Sequence, residues 1–462
     1  MMLSDTELGG QAASAARRSP AATWRLISRA SRRLSWGLAD QGMSSLSNFA
    51  VNIITARSLG AVQYGAFALA YVTYGFALNA SRGLATTPLL VRFSGTEIPT
   101  WRRAIAKCTG TSMTVGLATG AIILAAAALL SSTARLAFLA LGLTMPGLAL
   151  QDSWRYSFFA LGRGGQAFLN DTIWTLTLIP VLVLLRKTGH ANVFWFILAW
   201  GLTATVAAAI GPLQARTAPR ISRGWEWMSR HRDLGPRYAA EGIASNGSAQ
   251  LRNYGVTFIL GLAAVGYLQA ATTLMGPFYV IYWGMGLVTL PEAARILRRS
   301  PRHLTLFCVL LSGGLTILGL GWGAALAVAL PRGVGHLMLG RLWKPTYPLI
   351  WPTTMFTLGS CAGTGASTGL HAMGAARRSL DVMITGTAVS VVFSIAGAAV
   401  YGVIGAMLGY AAGSWVGALL NWWQLLRAMR ESGSTPTGAV SRPTTSAGRR
   451  RRTADEPAHR LQ

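Results

Sequence analysis

Apolar residues in this chain gather in blocks of roughly 20, the length a helix needs to cross a ~30 Å hydrocarbon layer. Twelve such blocks can be marked, with approximate ends 34–56, 64–90, 104–130, 136–160, 166–185, 192–214, 238–260, 264–291, 303–328, 346–372, 379–400 and 402–426. Each is predicted to be a helix, because a chain in lipid must satisfy its backbone internally. The two-residue alternation of an outer-membrane barrel is absent. Residues 1–33 are small and polar and end in a basic run, Arg25, Arg29, Arg32 and Arg33. The first block is not closed by an A-x-A cleavage site and reads as a retained anchor. Residues 431–462 are Ser/Thr/Pro/Gly with Arg449–Arg452 and read as a disordered basic tail.

Composition strengthens the membrane reading. Of 462 residues, 52% are hydrophobic and only 12% charged, about half the share usual in soluble domains. The 41 Lys+Arg against 14 Asp+Glu give a formal charge of +27, which by itself would also suit nucleic-acid binding. Distribution decides between the two. With the N-terminus in the cytoplasm, 32 basic residues fall on the cytoplasmic side and seven outside, leaving Arg82 and Arg252 within spans. That asymmetry is the positive-inside pattern of a multi-pass protein of the cytoplasmic membrane with both termini inside. A nucleic-acid surface would have no need of it.

The two halves echo each other. Leu46, Asn48, Phe49 and Val51 match Leu251, Asn253, Tyr254 and Val256 at one constant offset. Tyr64-Gly65-Ala66-Phe67 is followed in the second half by Val265-Gly266-Tyr267-Leu268, and Pro88 and Pro291 close the second span of each half. Six spans per half is an even number, so the halves are parallel repeats about an axis along the membrane normal, with a cavity between them. The fold expected is therefore all-α. It comprises a basic cytoplasmic tail (1–33), a six-helix lobe (34–214), a basic inter-lobe loop (215–237), a second six-helix lobe (238–430) and a basic tail (431–462).

Ala56-Arg57-Ser58-Leu59-Gly60 followed by Tyr64-Gly65 and Phe67 resembles the A-R-x-L-G-x-x-x-Y-G-x-F signature of polysaccharide and lipid-linked oligosaccharide flippases. These belong to the multidrug/oligosaccharidyl-lipid/polysaccharide exporter superfamily. Gly261 to Gly266 with Gln269-Ala270-Ala271, Pro291-Glu292-Ala293-Ala294-Arg295, Gly374-Ala375-Ala376-Arg377 and Tyr401-Gly402-Val403-Ile404-Gly405-Ala406 look like further segments of that family. The resemblance covers roughly residues 34–430 and implies a flippase for a polyprenyl-diphosphate-linked oligosaccharide or polysaccharide precursor. It implies as partners that lipid-linked glycan, membrane lipids, and a glycan polymerase or glycosyltransferases. A cation-coupled drug antiporter of the same superfamily and a non-transporting scaffold for glycan-assembly enzymes are the alternatives.

The chemistry along the chain agrees with transport. Gly-Lys does not occur, so the usual ATP-binding loop is excluded. No D-x-D or H-E-x-x-H is present, and Cys108, Cys308 and Cys361 stand singly, so neither a catalytic site, a metal site nor a cofactor is expected. Charges at membrane depth are costly and point to function. Arg252 falls near the midplane and Arg82 nearer the cytoplasm; a guanidinium fork suits the phosphate oxygens of the diphosphate that the resemblance implies. Arg57, at the outer mouth, is a third candidate for binding that group. Asp40 and Glu241 occupy related places in the two halves and are candidates for binding a coupling H⁺ or Na⁺. Asp152 and Arg155, three residues apart, are expected to pair. Tyr279, Tyr282 and Trp283 cluster on one span and offer rings for sugar stacking or packing.

Overall fold

A computed structural model describes residues 20–433, and every element among them is helical. Helix α1 is Pro20–Ser58. Helix α2 runs from Ala61–Ser81 through one wide turn, Arg82–Thr86, into Thr87–Phe93. Then come α3 (Ile98–Ala127), α4 (Ser132–Ala160), α5 (Gly164–Lys187) and α6 (Val193–Ala215). After a linker holding the short helix Gly224–Arg230, α7 is Gly235–Leu260. Helix α8 is a bent pair, Leu262–Leu274 and Gly276–Arg299, turned by 60°. Helices α9 (Pro301–Ala329) and α10 (Ile350–Ala372) follow. The last helical stretch, Ala376–Gly433, breaks at Tyr401 and Gly402 into α11 and α12. Gly402 sits at φ +61°, a conformation that costs a glycine little and lets the chain reverse there.

Among the described residues seven stretches are long and apolar enough to span a membrane, and the bent α8 makes an eighth. Two of those stretches, of 70 and 55 residues, each fold back on themselves and hold two spans. The remaining two spans are α1 and α7, the first helix of each half. Both are too polar to qualify on hydropathy: α1 carries Asp40, Ser44, Ser47, Asn48 and Asn52, and α7 carries Glu241, Gln250, Arg252 and Asn253. Polar helices at membrane depth face the bundle interior or a watery cavity, so their position at the head of each lobe marks where the cavities lie.

In the first lobe α3 packs on α4, α4 on α6, and α5 on α1 and α6. In the second, α10 packs on α9 and on the α11–α12 pair, and α7 lies against that pair. The lobes meet where α2 touches α7 and α8. A Cβ on Gly65 would overlap the carbonyl of Leu262, and one on Gly266 would crowd the carbonyl of Ala61. The same four-residue spacing on both helices makes this contact mutual, as the two-fold relation read from the repeat requires. Small residues permit such backbone contact. At the wide turn of α2, Gly83 lies against the backbone of Ala239 on α7.

Between α9 and α10 the chain forms a run of short helical turns over residues 330–349, a structured segment that the sequence reading took for a short loop. Leu339, Leu342 and Ile350 are buried in one core with Tyr64, Phe67 and Leu141 of the first lobe. This segment caps both lobes at the end opposite Gly433, where the described residues stop, and Gly340 rests beside Arg57.

Candidate functional site

The first lobe holds a network of buried charges. Arg82 leaves the wide turn of α2, where Pro88 lacks the N–H that would bond Leu84. It donates from Nε and Nη2 to the two carboxylate oxygens of Asp152 on α4, at 2.9 and 2.7 Å. Its guanidinium also lies 5.1 Å from the centre of the Tyr156 ring. Arg155, one turn further along α4, donates to Asp40 Oδ2 on α1 at 2.8 and 2.5 Å and meets Asp171 Oδ2 on α5 at 3.3 Å. The expected Asp152–Arg155 pair is therefore corrected: facing helices supply better-placed partners for both. Arg155 also joins Arg82 and Arg252 as a third arginine inside a span; its nearness to a helix end had put it with the loop charges.

Asp171 further accepts from Gln151 Nε2 at 2.7 Å. Asn170 donates to the Ala207 carbonyl and to Gln214 Oε1, at 2.8 and 3.0 Å. Asp40 is fully buried, and its Oδ1 has no hydrogen-bond partner among the described residues. Three aspartates and two arginines leave the network with a formal charge of −1. Asp40 and Glu241 are not equivalent: Asp40 lies inside this network, while Glu241 is exposed near the start of α7. Arg57 is exposed at the capped end.

The second lobe is built differently. Helices α8, α10, α11 and α12 border an open chamber of about 470 Å³, lined by Ser360, Thr364, Ser390, Asn421, Tyr282 and Tyr410 among others, with no carboxylate among the described residues. The glycine-rich run on α10 makes room for it. Gly359 and Gly363 pack against Ser414 and Ala418 of α12, while Ser360 and Thr364 line the space. Ser360, Thr364 and Ser390 each donate to the carbonyl four residues back, at 3.1, 2.8 and 2.7 Å. Their spent protons leave oxygen lone pairs toward the chamber, so it accepts hydrogen bonds more readily than it gives them. Tyr282 reaches Thr364 at 2.9 Å and lines the chamber; Tyr279 bonds Thr357 at 3.1 Å; Trp283 points outward and is exposed.

Arg252 stands at the edge of this chamber. Its guanidinium lies 4.0 Å over the ring of Tyr410, which stacks on Phe356 at 4.3 Å. Nε and Nη2 donate to Asn253 Oδ1 at 3.2 and 3.0 Å, and no acid pairs with it among the described residues. Its neighbours Gln250, Leu251 and Tyr254 line an apolar groove of about 680 Å³ between the lobes, walled by Phe76, Ile122 and Phe138. Thr387 of α11 borders both spaces. The ring beneath Arg252 thus belongs to the polar chamber and its sequence neighbours to the apolar groove, while Arg252 itself lines neither. Sequence position alone could find Arg252, but not the order of the spaces around it.

At the capped end the lobes are fastened together. Tyr64 Oη reaches Asn52 and Thr273 at 3.2 and 3.3 Å, and Gln269 donates to Asn52 at 3.2 Å. No family model matches the chain, and no curated protein matches it in sequence. Solved structures do match in shape. One is an inward-facing conformation of a multidrug resistance MATE family transporter of the MOP superfamily, at a TM-score of 0.66 and 14% identity over 85% of this chain and 96% of that one. Another is the lipid II flippase MurJ in an inward closed conformation, at 0.62 and 14% over 86% and 89%. An outward-facing conformation of a MATE family transporter matches at 0.55 and 14% over 86% and 94%. The chain has the fold of this transporter superfamily, twelve helices in two lobes.

Proposed function

We propose that the chain is a flippase that moves a polyprenyl-diphosphate-linked oligosaccharide or polysaccharide precursor across the cytoplasmic membrane by alternating access. The observation that carries this reading is the sequence of spaces around Arg252. A hydroxyl-bearing head suits the acceptor-rich chamber, a diphosphate suits the guanidinium, and a prenyl chain suits the apolar groove. The capped end is the outer one, and the charged end, with both termini, is cytoplasmic. The lobes then meet at the outer end, in keeping with the better fit to inward than to outward conformations of structures of similar shape. Reporter fusions at residues 225 and 440 should read cytoplasmic, and one at residue 188 external.

A second reading, a cation-coupled small-molecule antiporter, is favoured by the first-lobe network with its surplus aspartate. One experiment separates the two. In a deletion strain, lipid extracts should show a lipid-linked glycan accumulating on the cytoplasmic side. If no such lipid accumulates while sensitivity to cationic drugs rises, the antiporter reading replaces the flippase.

A further inference from the structure

The inter-lobe linker does more than join the lobes: it closes a second pocket against the first. This space of about 300 Å³ lies between the end of α2, the first turns of α3 and the helix Gly224–Arg230. Its aromatic wall is fixed. Trp227 and His231 are each 2% exposed with ring centres 4.1 Å apart, and Phe93 lies 5.6 and 6.1 Å from them. The Arg92–Asp233 pair at 2.5 Å clamps the linker beside it.

Three cations line the pocket: Arg103, Lys107 and Arg230. One carboxylate, Glu226, is shared among Lys107 at 2.6 Å, Arg230 at 3.5 Å and the outlying Arg223 at 3.0 Å. Hydrogen bonds from Lys107 and Arg223 hold Glu226 below the usual carboxylate range, so it stays charged. Arg103 is exposed, contacts Thr100 at 3.4 Å, and has no acid partner among the described residues. Burial pushes His231 below the usual imidazole range despite its bond to the Trp227 carbonyl, so the ring is neutral at pH 7. The lining therefore carries a formal charge of +2. A second carboxylate would leave one charge unmatched, whereas a phosphomonoester carries about −1.5 to −2 at pH 7.

We propose that this pocket binds a phosphomonoester group, carried on a lipid head or free in solution. Arginine forks and the Lys107 ammonium would hold its oxygens, and the aromatic wall would shield the rest of the ligand. Ile221 and Trp225, 46% and 78% exposed on the same linker, place the pocket where a lipid head could reach it. An occupied pocket would fasten the linker to the first lobe and so bear on how freely the lobes rock.

The test uses the full-length protein in detergent, titrated calorimetrically with dihexanoyl phosphatidic acid, glycerol 3-phosphate and dihexanoyl phosphatidylcholine. Phosphatidic acid should bind, and Arg103→Ala with Arg230→Ala should weaken it about tenfold or more. Both residues are exposed, so the fold should persist; Arg299→Ala, on a distant exposed arginine, should leave binding unchanged. Equal binding of glycerol 3-phosphate makes a free phosphate ester sufficient, while binding of the lipid alone assigns the site to a lipid head. The proposal fails if phosphatidylcholine binds as tightly, if neither phosphomonoester binds, or if the double variant binds phosphatidic acid like the native chain.

Discussion

At the scale of single residues, the two arginines that the sequence places within spans have different surroundings. Arg252 has a ring beneath it and an amide beside it, neither of which cancels its charge. Arg252→Ala should nearly abolish transport at normal membrane abundance, and Arg252→Lys should retain part of it, because an ammonium cannot reproduce the planar fork over Tyr410. Loss of diphosphate-lipid binding to the purified variant is the check; normal transport by Arg252→Ala would make the residue structural. Arg82 is bound on both sides of its fork by Asp152, whose side chain is only 7% exposed. Arg82→Ala should strand that carboxylate and cost about 3 kcal/mol, the low end for breaking a buried pair, since the Arg82 side chain is 31% exposed. The variant should therefore melt earlier and fall in abundance, and the exchange Arg82→Asp with Asp152→Arg should restore both. That Arg82 lies at membrane depth was legible from its place in an apolar block. Its partner was not, because 70 residues separate the two and only the packing of α2 on α4 brings them together.

At the scale of elements, hydropathy and charge pattern carry different information. Helices α1 and α7 are the most polar of the twelve blocks marked in the sequence and fall short on hydropathy, yet an even alternation of charged ends requires both. Their polarity follows from facing cavities rather than lipid. The Tyr64-Gly65 motif was legible as a repeat with Gly266, and the contact between those two glycines explains why each repeat needs one there. The cap over residues 330–349 was not legible, since its short turns lack the periodicity of a span and its apolar residues serve the other lobe's core. Gly65 gives the sharpest test at this scale. Gly65→Leu has no room against Leu262 and should hold the capped end apart. A cysteine at Asn52, 6% exposed in the fastened state, should then react with a membrane-impermeant thiol reagent from that side. Protection of that cysteine in the Gly65→Leu background would mean the glycine contact does not set the closed state.

At the scale of the whole molecule, the halves share a fold and differ in chemistry. The two-fold relation would place matching residues in matching roles, which is why Asp40 and Glu241 drew equal interest from the sequence. Their surroundings divide those roles. Glu241 is exposed, so a proton there gains or loses little from a change in lobe position. Asp40 is enclosed between α1, α4 and α5, held through Oδ2 by Arg155 and left with a bare Oδ1. A buried oxygen without a partner is expensive to keep, and binding a proton or a cation there relieves the cost. Rocking of the lobes changes water access to such a site, which is the requirement for coupling a gradient to alternating access. On the proposed function, the first lobe would hold the coupling ion and the second the substrate. Asp40→Asn should keep the fold, because Arg155 retains Asp171 at 3.3 Å, and should bind the lipid substrate normally. Its transport should no longer respond when the proton or sodium gradient is collapsed, whereas Glu241→Gln should respond like the native chain. Reconstituted vesicles with each gradient imposed in turn provide the measurement. Gradient-dependent transport by Asp40→Asn would show that the bare oxygen plays no part in coupling and that the network serves only to hold α1, α4 and α5 together.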